Sequence, residues 1–179
     1  MLIRTFTPFP ILKTERLTLR QLIGNDEQEI FTLRSDSEIN KYLDRKIAST
    51  IDEARSFIKE VNENINKNDS IYWAITFSDK NKLVGTICLF CFSDENDKCE
   101  IGYELLTNFQ GQGIMQEAVE KVIDFAFNTI KVEEIEAFFH RDNQGSIKLL
   151  KKLSFKDSDE PNKEYPDLIC CYLKSSIGN

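Results

Sequence analysis

The chain has 179 residues, 41% of them hydrophobic, and a formal net charge of −7, which suits one folded domain over residues 1–179 and argues against wholesale disorder. An acidic balance gives no electrostatic footprint for phosphate backbones, so nucleic acid is a poor partner; cationic partners fit better, although negative charge also simply favours solubility. The longest apolar run, over 87–92, is too short to span a bilayer, and the opening residues lack the apolar block and cleavage site of a secretory signal, so a cytoplasmic location is expected.

Residues 16–20 (Arg-Leu-Thr-Leu-Arg) alternate polar and apolar side chains and read as a strand. Asp26 is a candidate cap for a helix to about Arg34, and the segment from Ser35 to Glu38 can start a short helix through Leu43. Thr50 and Glu53 have the spacing of a capping box; the helix behind them carries Ala54, Phe57, Ile58, Val61 and Ile65 on one stripe. The period then changes to that of strands over 71–77, 83–92 and 99–106, with turns at 79–81 and 93–97, which predicts an antiparallel meander. Met115, Ala118, Val119, Val122, Ile123 and Ala126 recur at helical spacing, so a long amphipathic helix follows. A strand over 134–140, a short helix over 145–152 and a strand over 168–173 complete the chain. This order predicts an α/β (α+β) domain with a mixed, mostly antiparallel sheet of about six to seven strands, flanked by helices and containing one parallel crossover.

Cys88, Cys91, Cys99, Cys170 and Cys171 are an odd set, expected to remain free thiols in a reducing compartment. Cys88 and Cys91 have zinc-like spacing, but in a continuous strand they point to opposite faces, and His140 is the sole histidine. No metal is expected.

The most informative stretch is Gln110-Gly111-Gln112-Gly113-Ile114-Met115, at a strand–helix junction. Two glycines allow a tight turn whose N–H groups approach a ligand, and the helix N-terminus favours an anion such as diphosphate. A Walker loop would need Lys-Ser/Thr after Gly113, and a dinucleotide fingerprint would need glycine at Gln116. Taken alone, the pattern is equally a tight turn with no ligand.

The same loop resembles the Gln/Arg-x-x-Gly-x-Gly/Ala diphosphate loop of the GNAT acetyltransferases, with Met115 where a small residue is usual. Asn143-x-x-Ser146 followed by Lys152-Leu-Ser-Phe155 is similar to the second GNAT signature, Ser154 replacing a glycine. Leu12-Lys-Thr-Glu-Arg-Leu-Thr-Leu-Arg20, Ser35-Asp-Ser-Glu-Ile39 with Lys41-Tyr-Leu43, Leu83-Val-Gly85 and Glu100-Ile-Gly-Tyr103 resemble the RimJ/RimL branch, the ribosomal-protein N-terminal acetyltransferases. These segments cover nearly the whole chain in order.

The resemblance implies a GNAT fold with strands 99–106 and 134–140 splayed apart, and acetyl-CoA as cosubstrate. Leu105 and Leu106 would pair with the pantetheine arm, Gln110, Gly111, Gln112, Gly113, Ile114 and Met115 would hold the diphosphate, and Asn143 would bind the cofactor or cap the following helix, or both. It implies acetyl transfer by direct attack of a primary amine, with no covalent enzyme intermediate. The usual tyrosine acid, seven residues after the asparagine, is Leu150 here. Ser146 is the substitute implied by the branch, or a mere helix-start residue. Glu100 is the candidate base, with Glu104 in reserve and His140 less favoured; Tyr103 is a candidate for the acceptor cleft. The acidic loop over 157–164 either attracts a cationic acceptor or simply faces water. A protein N-terminal amine is the acceptor implied by the branch; polyamines, aminoglycosides and amino acids are alternatives, as is a non-catalytic acetyl-CoA sensor. Either a monomer or a homodimer is compatible with the sequence.

Overall fold

The computed structural model describes residues 2–158 and 165–176. Among these residues eight strands form one sheet: β1 (Leu12–Lys13), β2 (Leu17–Gln21), β3 (Ile71–Phe77), β4 (Leu83–Ser93), β5 (Lys98–Leu105), β6 (Glu134–His140), β7 (Lys156–Asp157) and β8 (Leu168–Lys174). Their spatial order is β1-β2-β3-β4-β5-β6-β8-β7. Only β5 and β6 run parallel; the neighbouring pairs are antiparallel. The expected mixed sheet is therefore present. Its extra strands are the two-residue edges β1 and β7, too short to show a period of two in sequence.

Helices cover both faces. On one lie α1 (Glu27–Ser35), α2 (Ser37–Asn40) and α3 (Ile51–Asn66); on the other lie α4 (Ile114–Phe125) and α5 (Gln144–Lys152). The capping box forms as expected: Thr50 accepts from the Glu53 N–H, and Glu53 accepts from Thr50 and Ser49 N–H groups. Those bonds hold the Glu53 carboxyl at a pKa of about 2. From α3, Phe57 meets Tyr72 of β3 edge-on at 5.6 Å. From α4, Phe125 meets Trp73 at 5.5 Å, against the opposite side of the same strand. Leu17, Leu19, Ile75, Ile87, Val119 and Val122 are fully buried between these layers, each contributing about 2 kcal/mol by removal from water.

Three local expectations need correction. Asp26 occupies the N-cap position of α1, but its side chain does not cap the helix; its carboxylate accepts from the Ile23 N–H and from Arg20 at 2.8 Å, a buried ion pair that ties β2 to the turn before the helix. The second helix stops at Asn40 rather than Leu43, and Asp36 is its cap. Finally, β4 is not continuous. A bulge between Phe90 and Ser93 puts Cys91 at φ 49°, so the alternation between Cys88 and Cys91 fails. Cys91 instead hydrogen-bonds Glu100. All five thiols are free, and no cluster of metal-ligating side chains occurs among the described residues. Nor, among those residues, is any helix long and apolar enough to cross a membrane.

Ser154, where the resemblance expects glycine, lies at φ 67° just beyond α5. That conformation explains a preference for glycine at the end of this helix.

Candidate active site

The parallel register of β5 and β6 lasts only three residues, Lys98 to Glu100 against Glu134 to Glu136. Beyond it the strands part. A cleft of about 600 Å³ opens between Ile101, Gly102 and Tyr103 on one side and residues 137–140 on the other, a volume ordinary for small-ligand sites. Because side chains alternate along a strand, the gap joins the two faces of the sheet. Tyr103 and Phe139 line it from the α5 side with Asn143, Ser146 and Leu150; Phe138 and His140 line it from the α2 side with Lys41, Tyr42 and Leu43.

On the α5 side, Asn143 caps the helix, its Oδ1 accepting from the Ser146 N–H at 3.2 Å. It also borders the cleft, so capping does not remove it from the site. Tyr103 and Ser146, on different elements, share a side-chain hydrogen bond, while burial pushes the tyrosine pKa up to about 12. Tyr103 therefore remains a neutral hydroxyl across the working pH range. Leu150, at the usual tyrosine position, is buried and supplies only apolar wall.

On the opposite face, Glu100 stands at the last paired register, where the cleft begins. Burial raises its pKa, partly offset by the bond from Cys91. Glu104 shares that face but is occupied. Its carboxylate lies 2.5 Å from the Arg45 guanidinium, in an orientation that leaves Oε1 without an aligned donor. Burial still raises its pKa against the pull of Arg45. His140 stacks on Tyr42, ring centroids 5.3 Å apart, and its Nδ1 accepts from the Asp142 N–H. It stands at the mouth rather than the root.

The loop before α4 has the form an anion site needs. Gly111 and Gly113 adopt left-handed φ values of 74° and 77°, and open space surrounds the position of a Gly111 Cβ. Gly113 is the N-cap of α4 and no side chain caps it, so the N–H groups of Ile114, Met115 and their neighbours lack partners within the helix. Ile114 and Met115 turn their own side chains into the core. The side chains of Gln110 and Gln112 point back into the loop, donating to the Leu105 and Asn108 carbonyls. The Leu106 N–H is used by Val84 in the sheet. These donors suit a diphosphate.

Arg16 braces this loop, a contact that the sequence pattern did not single out. It donates to the Gln112 carbonyl at 3.1 Å and pairs with Glu117 in the first turn of α4. Its only signal in sequence was membership of the 12–20 motif. Of the acidic loop over 157–164, residues 159–164 lie outside the described part.

A splayed parallel pair beside an uncapped glycine-led helix is the arrangement that the resemblance to the GNAT acetyltransferases implies. Comparison with known proteins agrees. The sequence model of the acetyltransferase (GNAT) domain matches residues 16–156, and the chain belongs to that family. It is an acyltransferase, a GNAT N-acetyltransferase. It is 32% identical over 148 residues to the uncharacterized N-acetyltransferase YoaA of Bacillus subtilis (strain 168), covering 83% of this chain and 84% of that one. It is 34% identical over 145 residues to the uncharacterized N-acetyltransferase p20 of Bacillus licheniformis, covering 81% and 82%. Among solved structures it shares its fold with RimL, a ribosomal L7/L12 alpha-N-protein acetyltransferase in complex with coenzyme A, with a TM-score of 0.81, 18% identity, and 92% and 98% of the two chains covered.

Proposed function

We propose that this enzyme transfers an acetyl group from acetyl-CoA to a primary amine by direct attack, with a protein N-terminal amine as the favoured acceptor. The observation that carries the reading is the cleft joining the two faces of the sheet, lined by Ser146 on one side, with Glu100 at the last paired register, one residue before the lining residue Ile101. Donor and acceptor then meet in the gap from opposite sides. The loop from Gln110 to Met115 holds the diphosphate, and Leu105, Leu106 and Asn143 flank the pantetheine arm. A neutral amine nitrogen attacks the thioester carbonyl, the new C–N bond forms and the C–S bond breaks. Glu100 takes the proton released by the amine, directly or through water, and Ser146 gives a proton to the departing thiolate. Desolvation of Glu100 favours this role, because a raised pKa makes a carboxylate a better proton acceptor.

The test is release of coenzyme A thiol from acetyl-CoA against peptides, polyamines and aminoglycosides. Release dependent on peptide N-termini supports the reading. Release dependent only on small amines reassigns the acceptor, and none from any amine overturns the proposal.

A further inference from the structure

Seven large apolar side chains are exposed among the described residues, and three of them, Leu43 (42%), Phe138 (40%) and Tyr165 (50%), border this same cleft. Scattered singly, such residues need no explanation; gathered on the rim of a site, they mark what it binds. They approach from three elements: the loop after α2, strand β6 and the segment leading into β8. Among the described residues, the charged side chains lining the cleft are of mixed sign rather than uniformly acidic. Asp44 and Asp167 line the cleft, but so does Lys41. Arg141 stands 3.3 Å from Asp167 and offsets its charge, while the Lys41 ammonium lies over the Tyr42 ring at 5.5 Å. Among the described residues, then, the overall charge of −7 is not focused on this mouth. A polycation entering it would bring a second positive charge against Lys41 and would leave Leu43 and Phe138 in water.

We infer that the acceptor is a monocationic amine carried on an apolar body, namely a polypeptide N-terminus whose first side chain is apolar, seated against Leu43 and Phe138. The inference rests on the transfer reading above and narrows its substrate.

Peptides of one length, differing only in the first residue (Leu, Phe, Ser or Lys), are compared with spermidine by coenzyme A thiol release. Leu- and Phe-first peptides are expected to exceed Lys-first peptides and spermidine about tenfold in kcat/KM, the scale of discrimination an apolar pocket supplies. Leu43→Ser and Phe138→Ala should each abolish most of that preference, with the KM for acetyl-CoA kept within about twofold. Preference for spermidine or Lys-first peptides overturns the inference while leaving the transfer reading intact, as does a preference unchanged in both variants. Absence of turnover with every acceptor instead overturns the transfer reading itself.

Discussion

The Arg16 guanidinium meets the Glu117 carboxylate at 2.6 Å, joining the turn before β2 to the first turn of α4 across a hundred residues of chain. Thr14 and the Arg16 N–H donate to the other carboxylate oxygen at 2.5 and 3.0 Å. Glu117 would otherwise present negative charge beside the loop proposed to hold a diphosphate; Arg16 cancels it and at the same time fixes the Gln112 carbonyl. Arg16→Ala should therefore weaken coenzyme A binding about fivefold by calorimetry, a modest change because the pair is solvent-screened. Adding Glu117→Gln should restore much of the loss. If the double variant binds as poorly as the single one, Arg16 acts only as a structural tie.

Gly113 stands at φ 77°, with the Arg16 Nη2 3.5 Å from where a Cβ would lie. Gly113→Trp fills the approach to the uncapped N–H groups and should reduce coenzyme A affinity by more than a hundredfold, about 3 kcal/mol. Because the left-handed backbone also strains any side chain, a melting curve must show the variant folded. Unchanged affinity in a folded variant would refute the loop assignment.

Tyr103 and Ser146 meet inside the cleft. A neutral tyrosine can donate to the serine oxygen, leaving the serine hydrogen free for the thiolate. Ser146→Ala should lower kcat about tenfold to a hundredfold with little change in acetyl-CoA affinity, the range for loss of a positioned proton donor. Tyr103→Phe should cost less, and the two losses should not add, because both variants break one chain of hydrogen bonds. Fully additive losses would separate the two residues mechanistically.

Burial holds the Glu100 carboxyl above the ordinary carboxylate range. As pH rises through that raised value, the base form appears and the rate should climb. Glu100→Gln removes this limb and should cost about a hundredfold between the Glu100 pKa and that of the acceptor amine, where the acceptor is mostly ammonium. The deficit should narrow at alkaline pH, where the free amine supplies itself. A pH–rate profile parallel to that of the wild type would exclude Glu100 as the base.

The meander over β3, β4 and β5, the stripes of α3 and α4 and the Thr50 capping box were legible in the sequence because each rests on periods or spacings within a few residues. The glycine loop was legible for the same reason: the left-handed conformations of Gly111 and Gly113 are local requirements. Asn143 and Ser146 could be found by motif, and the observed cap agrees with one of the two roles read for Asn143. The Cys91 bulge, which reversed the expected facing of a thiol, left no such trace, since a bulge depends on the partner strand as much as on its own.

By itself, then, the sequence determined most of the elements, the family and the glycine loop before α4, all consequences of local chemistry repeated at fixed spacing. Only the tertiary structure decided that Tyr103 finds Ser146, that Arg45 occupies Glu104 and that Arg16 reaches Glu117. Each is a meeting of side chains far apart in the chain, set by packing and register, which no local pattern encodes.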